Sequence, residues 1–459
     1  MSSQKLSRPS EPLVLEEVGA QGAEFLSDMT NRLRSLALTK GDPNEVLMKI
    51  GSYVDNPHVF NTKVPVDGSP VTAQKASGRC WIFAATNVMR VPIMKRDNLE
   101  SFELSQMYLY YWDKLEKANY FLEQIIDTAD SDIGDRLVQR LLLEPMADGG
   151  QWDMIYNLVE KYGIVPQAVY PDTWNARNSR LMRGFLQTKL REFAVILRKL
   201  AAEGDAAAVS AKKTEQMKQI QDLLTTFMGA PPKPTEKFHW QYANKDKKVF
   251  EVHSTPIDFA KAITTADTEC VVNDMVSLVH DPRNETNALL TVDRLGNVVG
   301  GRPVQYINVD METLKTACVD MIKAGHPIFF GVDFGKFRHK DLGVMDLDIY
   351  DYQAGFGTTL LEQSKADRLR AGESSMTHAM ILTGVHLDET TGKPLRWRIQ
   401  NSHGSESGDK GHLVMTDAWM DQFMYQAVVN TKFISDNVKA ALDKEPVVLP
   451  LWDPMGSLA

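Results

Sequence analysis

One cysteine in this chain stands where a thiol could act as a nucleophile. Cys80 comes directly after a loop that contains Gly78, and it begins a segment that fits a helix as far as Arg90, where Pro92 is expected to end it. A thiol at a helix N-terminus meets unpaired backbone N–H groups and the positive end of the helix dipole, which stabilise its thiolate. The alternative interpretation is a buried structural cysteine, a common environment for a lone thiol.

A nucleophilic thiol also needs a base, a group that orients the base, and donors for the charge that develops on the substrate. His378 lies near one end of an apolar run typical of a buried strand, and Asn401 ends the next predicted strand. The turn-forming residues between them predict an antiparallel hairpin that places His378 and Asn401 roughly opposite each other. Gln74 precedes Cys80 on the loop and could point its amide at the same oxyanion site. The other histidines lack such a pairing and are interpreted as surface or structural residues.

The elements that must position these residues fall into a helical part and a later part rich in strands. Apolar residues recur at helical spacing in several segments. The predicted helices are Leu104 to Ile126 with Ser101 as a cap, Met154 to Tyr162 ended by Gly163, Asn175 to Ala202, and Thr214 to Phe227. After about Lys237 the predicted strands are Phe250 to His253, Cys270 to Val279, His326 to Val332, Met376 to Val385, Leu395 to Ile399, Leu413 to Met415 and Ala427 to Asn430.

Composition excludes several classes of protein. The 459 residues are 43% hydrophobic and 24% charged, which is ordinary for a globular protein and unlike a disordered or fibrous one. The formal net charge of −9 disfavours nucleic acid as the main ligand. No run of about 18 apolar residues and no secretory signal is present, so we expect a cytoplasmic protein with no membrane partner.

The cysteines predict neither a disulfide framework nor a metal site. Cys80, Cys270 and Cys318 are few and scattered, and no Cys/His cluster has the local spacing of metal ligands. We therefore expect a reducing compartment, no metal and no organic cofactor.

The predicted helix after Asn175 is unusually basic within an acidic chain. Its charged residues from 176 to 200 are Arg177, Arg180, Arg183, Lys189, Arg191, Arg198 and Lys199 against Glu192. Three interpretations are open: a solvated face, a channel lining or subunit contact, and a secondary contact to nucleic acid, which we rank last.

Several motifs together resemble one known family. The segments SGRCWIF around Cys80, DGGQWDM around Gly149 and Gly150, GESSMTHAM around His378, and the terminal WDPMGSLA resemble the bleomycin hydrolase / aminopeptidase C branch of the papain-like cysteine peptidases. They extend from about residue 70 to the last residue. One position departs from the papain-like pattern, because His403 stands where Trp usually follows Asn-Ser. We expect protonation of His403 to add acid sensitivity, although a neutral substitution is the alternative.

The resemblance implies a fold and roles for the residues. The expected fold is α+β, a papain-like two-lobed structure with a helical insertion and a C-terminal arm in the cleft. Cys80 would be the nucleophile, His378 the general base and acid, Asn401 the orienting residue and Gln74 the oxyanion donor. Substrate would pair with the backbone at Gly149 and Gly150, and the Ala459 carboxylate would hold its free α-amine. The implied regions are an N-terminal extension (1–64), a helical lobe (65–174), a helical insertion (175–236), a β-rich lobe (237–450) and the arm (451–459).

The resemblance also implies an activity and partners. The expected enzyme is a cysteine aminopeptidase that acts on short peptides with a free N-terminus, and also on the bleomycin carboxamide and homocysteine thiolactone. It would assemble as a homohexamer. The alternatives are an inactive or secondary nucleic-acid-binding protein on the same fold, and an acyltransferase that uses the same thioester chemistry.

Overall fold

The computed structural model describes residues 11–264 and 272–458 of the chain. Its helices in those ranges are α1 (Leu15–Ser27), α2 (Met29–Leu38), α3 (Pro43–Leu47), α4 (Ile50–Asp55), α5 (Cys80–Arg96), α6 (Gln106–Asp127), α7 (Arg136–Leu143), α8 (Trp152–Tyr162), α9 (Trp174–Arg177), α10 (Arg180–Ala202), α11 (Ala206–Met228), α12 (Pro256–Ile263), α13 (Met311–Lys323), α14 (Tyr352–Phe356), α15 (Lys365–Arg370), α16 (Asp417–Phe423) and α17 (Asp436–Lys439).

The strands of the same ranges follow mainly in the second half of the chain. They are β1 (Thr62–Lys63), β2 (Phe238–Ala243), β3 (Val249–Ser254), β4 (Met275–Val279), β5 (Leu289–Val292), β6 (Gln305–Asn308), β7 (Ile328–Val332), β8 (Arg338–His339), β9 (Val344–Met345), β10 (His378–Leu387), β11 (Pro394–Gln400), β12 (His412–Thr416), β13 (Met424–Asn430) and β14 (Val447–Leu449). The predicted strand from Cys270 begins only at Met275, and Cys270 itself lies outside the described residues.

One large sheet carries most of these strands, in the order β14-β5-β6-β4-β13-β7-β10-β11-β12-β9-β8, with β1 on β10. Strand β10 lies in its middle, between β7 and β11, and pairs antiparallel with both. Its first eight residues are buried. A residue at the start of β10 is therefore fixed by pairing with β7, where His378 lies opposite Val332, and by the core around it.

Helix α5 continues past the residue that was expected to end it. Pro92 lies inside the helix, which runs to Arg96. Proline removes one helical hydrogen bond and usually kinks or ends a helix. Here the residues that follow, Ile93 and Met94, are buried in the core. We attribute the continuation to this apolar burial, which offsets the lost backbone bond.

Two local predictions at helix starts were wrong for identifiable reasons. Helix α6 begins at Gln106, because the Ser105 hydroxyl and not Ser101 accepts the N–H of Tyr108. The residues from Gly51 to Pro70 carry the Gly, Pro, Asn and Asp signals that predict a loop, but the first of them, as far as Asp55, belong to helix α4. Turn-forming composition did not override helix formation there.

The predicted insertion consists of two long antiparallel helices. Residues 174–202 form the short helix α9 and then α10. The sequence predicts an apolar stripe along α10, in which Met182, Leu186, Leu190, Phe193 and Leu197 are buried and Leu200 is half-buried. Asp205 accepts the N–H of Ala208, so α11 starts earlier than predicted. The insertion therefore has a core of its own, between α10, α11 and α6.

The N-terminal helices belong to a separate compact unit. Residues 11–55 group with Asp348–Gln363, and all other described residues form the second unit. Inside the first unit, the Lys49 N–H donates to the Ile349 carbonyl and Leu47 packs on Gly355. The five predicted regions stay predictions. In the described ranges no helix is both long and apolar enough to cross a bilayer.

Candidate active site

The Cys80 thiol lies at the first residue of α5 and is buried, with 4% of the residue exposed. Burial raises the pKa of the Cys80 thiol to about 11, and backbone N–H groups of Ala379, Trp81 and Cys80 itself act in the opposite direction. The bond from Ala379 shows that the thiol faces the start of strand β10. A thiolate at this place has backbone donors and little exposure to water.

The structure brings His378 and Asn401 into direct contact. His378 begins β10, and Asn401 follows the last residue of β11. The register pairs Ile381 with Gln400, so Asn401 lies diagonally across from His378 and not directly opposite. The ladder shifts its register between Leu382 and Gly384 and again between His386 and Leu387. The side chains still meet, with His378 Nε2 2.9 Å from Asn401 Oδ1.

The imidazole of His378 is held in an environment that resists charge. Burial lowers its pKa to about 3, the hydrogen bond to Asn401 raises it, and His403 and Arg338 lower it further. Because burial also raises the thiol pKa of Cys80, neither group is readily charged by itself. The charged forms become favourable only when the proton passes from the Cys80 thiol to the His378 imidazole, because the thiolate and the imidazolium then stabilise each other.

Gln74 lies on the loop before Cys80, and hydrogen bonds hold both ends of its side-chain amide. Its Oε1 accepts the Ser402 hydroxyl at 2.6 Å, and its Nε2 donates to the Ser77 carbonyl at 2.7 Å. An amide nitrogen has two N–H groups, so one remains after the bond to Ser77. The Gln74 backbone N–H also donates to the Ser402 carbonyl. This loop is therefore tied to the residue that follows Asn401.

Sequence reasoning missed the ion pair that anchors this loop. Arg79 is fully buried next to the thiol residue, and its guanidinium donates to both carboxylate oxygens of Asp172 at 2.8 and 2.9 Å. Its Nε also donates to the Ser77 hydroxyl. The available signal was an arginine between Gly78 and the apolar segment that starts at Cys80, since an arginine that becomes buried there needs a carboxylate.

Of Gly149 and Gly150, the predicted substrate-binding pair, Gly150 lies against Trp81, the residue after Cys80. A Cβ on Gly150 would come within 2.6 Å of the Trp81 ring, so no larger residue fits. The Trp81 indole N–H donates to the Asp148 carbonyl at 2.8 Å. Gly78 has the same constraint, since its Cβ would lie 2.5 Å from that of Asp148. Because neither Gly78 nor Gly150 has a Cβ, the loop before Cys80 and the loop around Gly149 can approach each other closely.

Two buried lysines fix the backbone beside the glycine pair. Lys114 donates to the Ala147 carbonyl at 2.6 Å, and Lys117 donates to the Gly149 carbonyl at 2.6 Å. Lys114 also lies 2.9 Å from the Asp148 carboxylate. Burial opposes ionisation of Asp148, but Lys114 outweighs it and holds the pKa of that carboxyl below its usual range. The loop therefore has a set conformation before any substrate arrives.

The C-terminal arm is anchored up to its last described residues. Asp453 accepts a hydrogen bond from Arg283 at 2.7 Å, and Met455 is buried. The Ser457 carbonyl accepts from Gln151 Nε2 at 3.0 Å, and its hydroxyl donates to the Met376 carbonyl at 2.7 Å. Gln151 follows the glycine pair and Met376 precedes His378 by two residues. Ser457 thus lies between the two loops of the site.

The end of the arm also lines a cavity. Gly149, Ser457 and Leu458 contribute to a space of about 330 Å³. Ala459, the predicted partner of the substrate amine, lies outside the described residues. Its role stays a prediction.

His403, which replaces the usual Trp, lies beside the imidazole of His378 with ring centroids 5.1 Å apart. Its Nδ1 is 3.1 Å from Asn401 Nδ2, which makes Nδ1 the acceptor. Phe334 covers His378 from another side at 4.6 Å between centroids. His403 and Phe334 together shield the contact between His378 and Asn401, which the indole of the usual Trp would otherwise cover.

Most of the basic residues on α10 are used inside the chain. Arg191 donates to the Leu142 and Leu143 carbonyls at 2.8 and 2.7 Å, and Arg198 donates to the Thr128 and Ser131 carbonyls. On α10, Arg183 also pairs with Asp148 and Lys189 with Glu192, and Arg177 of α9 pairs with Asp172. These contacts favour the interpretation that the basic residues of α10 hold neighbouring loops in place.

Comparisons with known proteins agree with the resemblance read from the motifs. The model of the Peptidase C1-like family matches residues 13–456. Cysteine proteinase 1, mitochondrial, of Saccharomyces cerevisiae (strain JAY291) is 43% identical over 99% of this chain and 94% of its own. Bleomycin hydrolase of Rattus norvegicus is 41% identical over 97% of this chain and 98% of its own.

A solved structure agrees at the level of the fold. The crystal structure of PepW from Lactobacillus rhamnosis HN001 superposes with a TM-score of 0.93 and 38% identity, over 98% of this chain and 99% of that one. The predicted α+β papain-like fold is confirmed. The chain therefore belongs to the Peptidase C1-like family and is a cysteine peptidase of the bleomycin hydrolase type.

Proposed function

We propose that this peptidase removes N-terminal residues from short peptides, with the C-terminal arm selecting substrates that carry a free α-amine. The observation that supports this most directly is the anchoring of Ser457 on Gln151 and on the Met376 carbonyl. An arm held there leaves little room for peptide on one side of the reacting bond. A carboxylate at residue 459 would pair with a cationic N-terminus and lose that pair when the amine is acylated.

The proposed chemistry uses Cys80, His378, Asn401 and Gln74. His378 takes the proton of Cys80, and the thiolate attacks the carbonyl carbon of the N-terminal residue. The backbone N–H of Cys80 and the free N–H of Gln74 would stabilise the resulting oxyanion. The C–N bond then breaks, and His378 returns the proton to the departing amine. Water deprotonated by His378 attacks the thioester, releases the amino acid and restores the thiol.

Other substrates follow from the same chemistry. The carboxamide of bleomycin is an amide with ammonia as leaving group, and homocysteine thiolactone is a thioester that carries a free amine. Each is a small molecule with an acyl carbon that Cys80 could attack. We include both in the proposal, together with a homohexameric assembly and a cytoplasmic location. The yeast relative is named mitochondrial, so a fractionation measurement is the test of location.

The experiment compares kcat/KM for two fluorogenic amino-acid amides that differ only in N-acetylation. We expect a preference of about thirtyfold or more for the free amine, the ratio that corresponds to loss of about 2 kcal/mol from a charge pair. A variant that lacks residues 456–459 is the matched control and should hydrolyse both substrates. Equal turnover by the full chain would contradict selection by the arm and leave the peptidase assignment intact.

Absence of turnover on both substrates would favour the non-catalytic alternative, a nucleic-acid-binding protein on this fold. Labelling of Cys80 by iodoacetamide, lost in Cys80→Ser, distinguishes an activated thiol from a structural one. Transfer of the acyl group to an added amine would instead support the acyltransferase alternative. The internal use of Arg191 and Arg198 speaks against a nucleic-acid face on α10.

A further inference from the structure

The hairpin formed by β2 and β3 presents two imidazoles and a carboxylate on one exposed face. His239 pairs across the strands with His253, and Gln241 pairs with Glu251. Because side chains alternate along a strand, these four residues lie on the same side. The opposite side carries Phe238 and Trp240, which pack on Phe259 of α12. This packing fixes the hairpin and leaves the histidine face toward solvent.

The potential ligand atoms on this face are close together. Glu251 Oε2 is 3.9 Å from His239 Nε2 and 3.6 Å from His253 Nε2. The two imidazole rings stack with centroids 4.6 Å apart and planes 15° from parallel. All three ligand atoms lie within 4.8 Å of one another. The side chains are between 48% and 65% exposed, so an ion reaches them without crossing the protein.

Gln241 orients the carboxylate. Its amide nitrogen donates to Glu251 Oε1, which leaves Oε2 directed at the imidazoles. The hydrogen bond from Gln241, with smaller contributions from His253 and His239, holds the pKa of Glu251 below its usual range. A neighbour that fixes a ligand in this way is typical of metal sites, where such partners set ligand orientation and basicity.

We propose that His239, Glu251 and His253 bind a divalent transition-metal ion, with Zn²⁺ as the best match, and leave one coordination position to water. Zn²⁺ accepts imidazole and carboxylate ligands at about 2.0 to 2.2 Å in a tetrahedron, which requires ligand atoms about 3.3 Å apart. The observed separations need a contraction of under about 1.5 Å, which exposed side chains achieve by small torsional changes. Mg²⁺ and Ca²⁺ are poor candidates because they prefer oxygen ligands.

This site is outside the catalytic region and was not visible in the sequence. The two histidines lie on different strands of the hairpin, so only the register of β2 against β3 brings them together. An ion there would join two strands that pair with each other alone. A two-stranded hairpin is marginally stable by itself, so binding would rigidify residues 238–254.

The test is a calorimetric titration of Zn²⁺ into the full chain that carries Cys80→Ser, which removes the competing active-site thiol. We expect one site whose affinity falls at least tenfold in each of His239→Ala, His253→Ala and Glu251→Gln, the smallest loss typical of a missing ligand or its partner. His386→Ala is the matched control, a histidine of β10 outside the site, and should bind as the parent does. Unchanged affinity in the double variant His239→Ala/His253→Ala would overturn the proposal.

Hydrogen exchange provides a second readout that does not depend on activity. Zn²⁺ should slow exchange of the β2 and β3 amides in the Cys80→Ser chain and leave it unchanged in the double variant. The metal-free double variant should keep the parent's thermal midpoint, because the histidine face is exposed. Protection that appears equally in both proteins would show that the ion binds elsewhere, and would contradict the assignment.

Discussion

The side-chain oxygen of Asn401 lies 2.9 Å from Nε2 of His378 and also accepts the backbone N–H of Ser402 at 2.8 Å. The second bond identifies this atom as oxygen, so Nε2 of His378 is the donor. The other ring nitrogen, Nδ1, is therefore the acceptor in the neutral imidazole. Strand β10 brings this same ring to the side of the thiol, where the Ala379 N–H donates to Cys80.

Removal of the amide oxygen should lower activity by releasing the ring. We expect Asn401→Ala to reduce kcat/KM about 10- to 150-fold, the range that loss of a hydrogen bond of about 1.5–3 kcal/mol to a charged group gives. Asn401→Asp keeps an acceptor for Nε2 and should recover part of the loss. Steady-state kinetics on a free-amine amide checks both. Equal activity of the alanine and aspartate variants would argue against an orienting role.

The Arg79 pair should matter most for stability. Arg79→Met leaves the Asp172 carboxylate buried without its bidentate partner, so we expect a loss of about 3–5 kcal/mol in the free energy of unfolding. The double variant Arg79→Met/Asp172→Leu should recover most of it, since no unpaired charge remains. Urea denaturation of the parent, both single variants and the double variant measures the coupling. Additive losses would show that the two residues do not act as a pair.

Gly150 should not tolerate a methyl group. Gly150→Ala places a Cβ 2.6 Å from the Trp81 ring, and we expect a loss of about 1–3 kcal/mol together with a raised KM. Gly184→Ala is the matched control, because it lies inside α10 with open space around it. That variant should gain about 0.5–1 kcal/mol from better helix propensity. The thermal midpoint should therefore fall in Gly150→Ala and rise in Gly184→Ala, and only Gly150→Ala should change the KM. An unchanged midpoint and KM in Gly150→Ala would contradict the steric constraint.

His403 should add to the acid sensitivity of the reaction. Burial lowers the pKa of His403, and Arg338 and Lys340 lower it further, so the ring is neutral at neutral pH. As pH falls through its pKa, His403 gains a positive charge beside His378 and disfavours the charged imidazole of the ion pair. Activity should therefore fall on the acid side. His403→Trp should shift that acid limb of kcat/KM to lower pH.

His403→Gln separates the charge from the shield. Glutamine keeps an acceptor for the Asn401 amide but does not titrate. We expect His403→Gln to move the acid limb in the same direction as His403→Trp, with a lower rate at neutral pH because the smaller side chain covers the contact less. An acid limb that stays in place in both variants would show that His403 does not control it.

Local signals in the sequence were sufficient for much of the site. Cys80 at the start of a helix, His378 at one end of an apolar strand and Asn401 after the next strand could each be recognised from neighbouring residues. The apolar stripe of α10 also predicted its buried face. These features depend on residues within a few turns or one hairpin, where periodicity and turn composition act directly.

Contacts between distant segments needed the tertiary structure. The diagonal register of β10 and β11, the pairing of Arg79 with Asp172 and the anchoring of Ser457 on Gln151 each join residues that no local pattern links. Pro92 inside α5 is a further case, since core burial outweighed a local helix-ending signal. The sequence alone thus determined which side chains could do the chemistry. The tertiary structure decided which of them meet, because long-range packing and strand register set distances that composition and spacing do not encode.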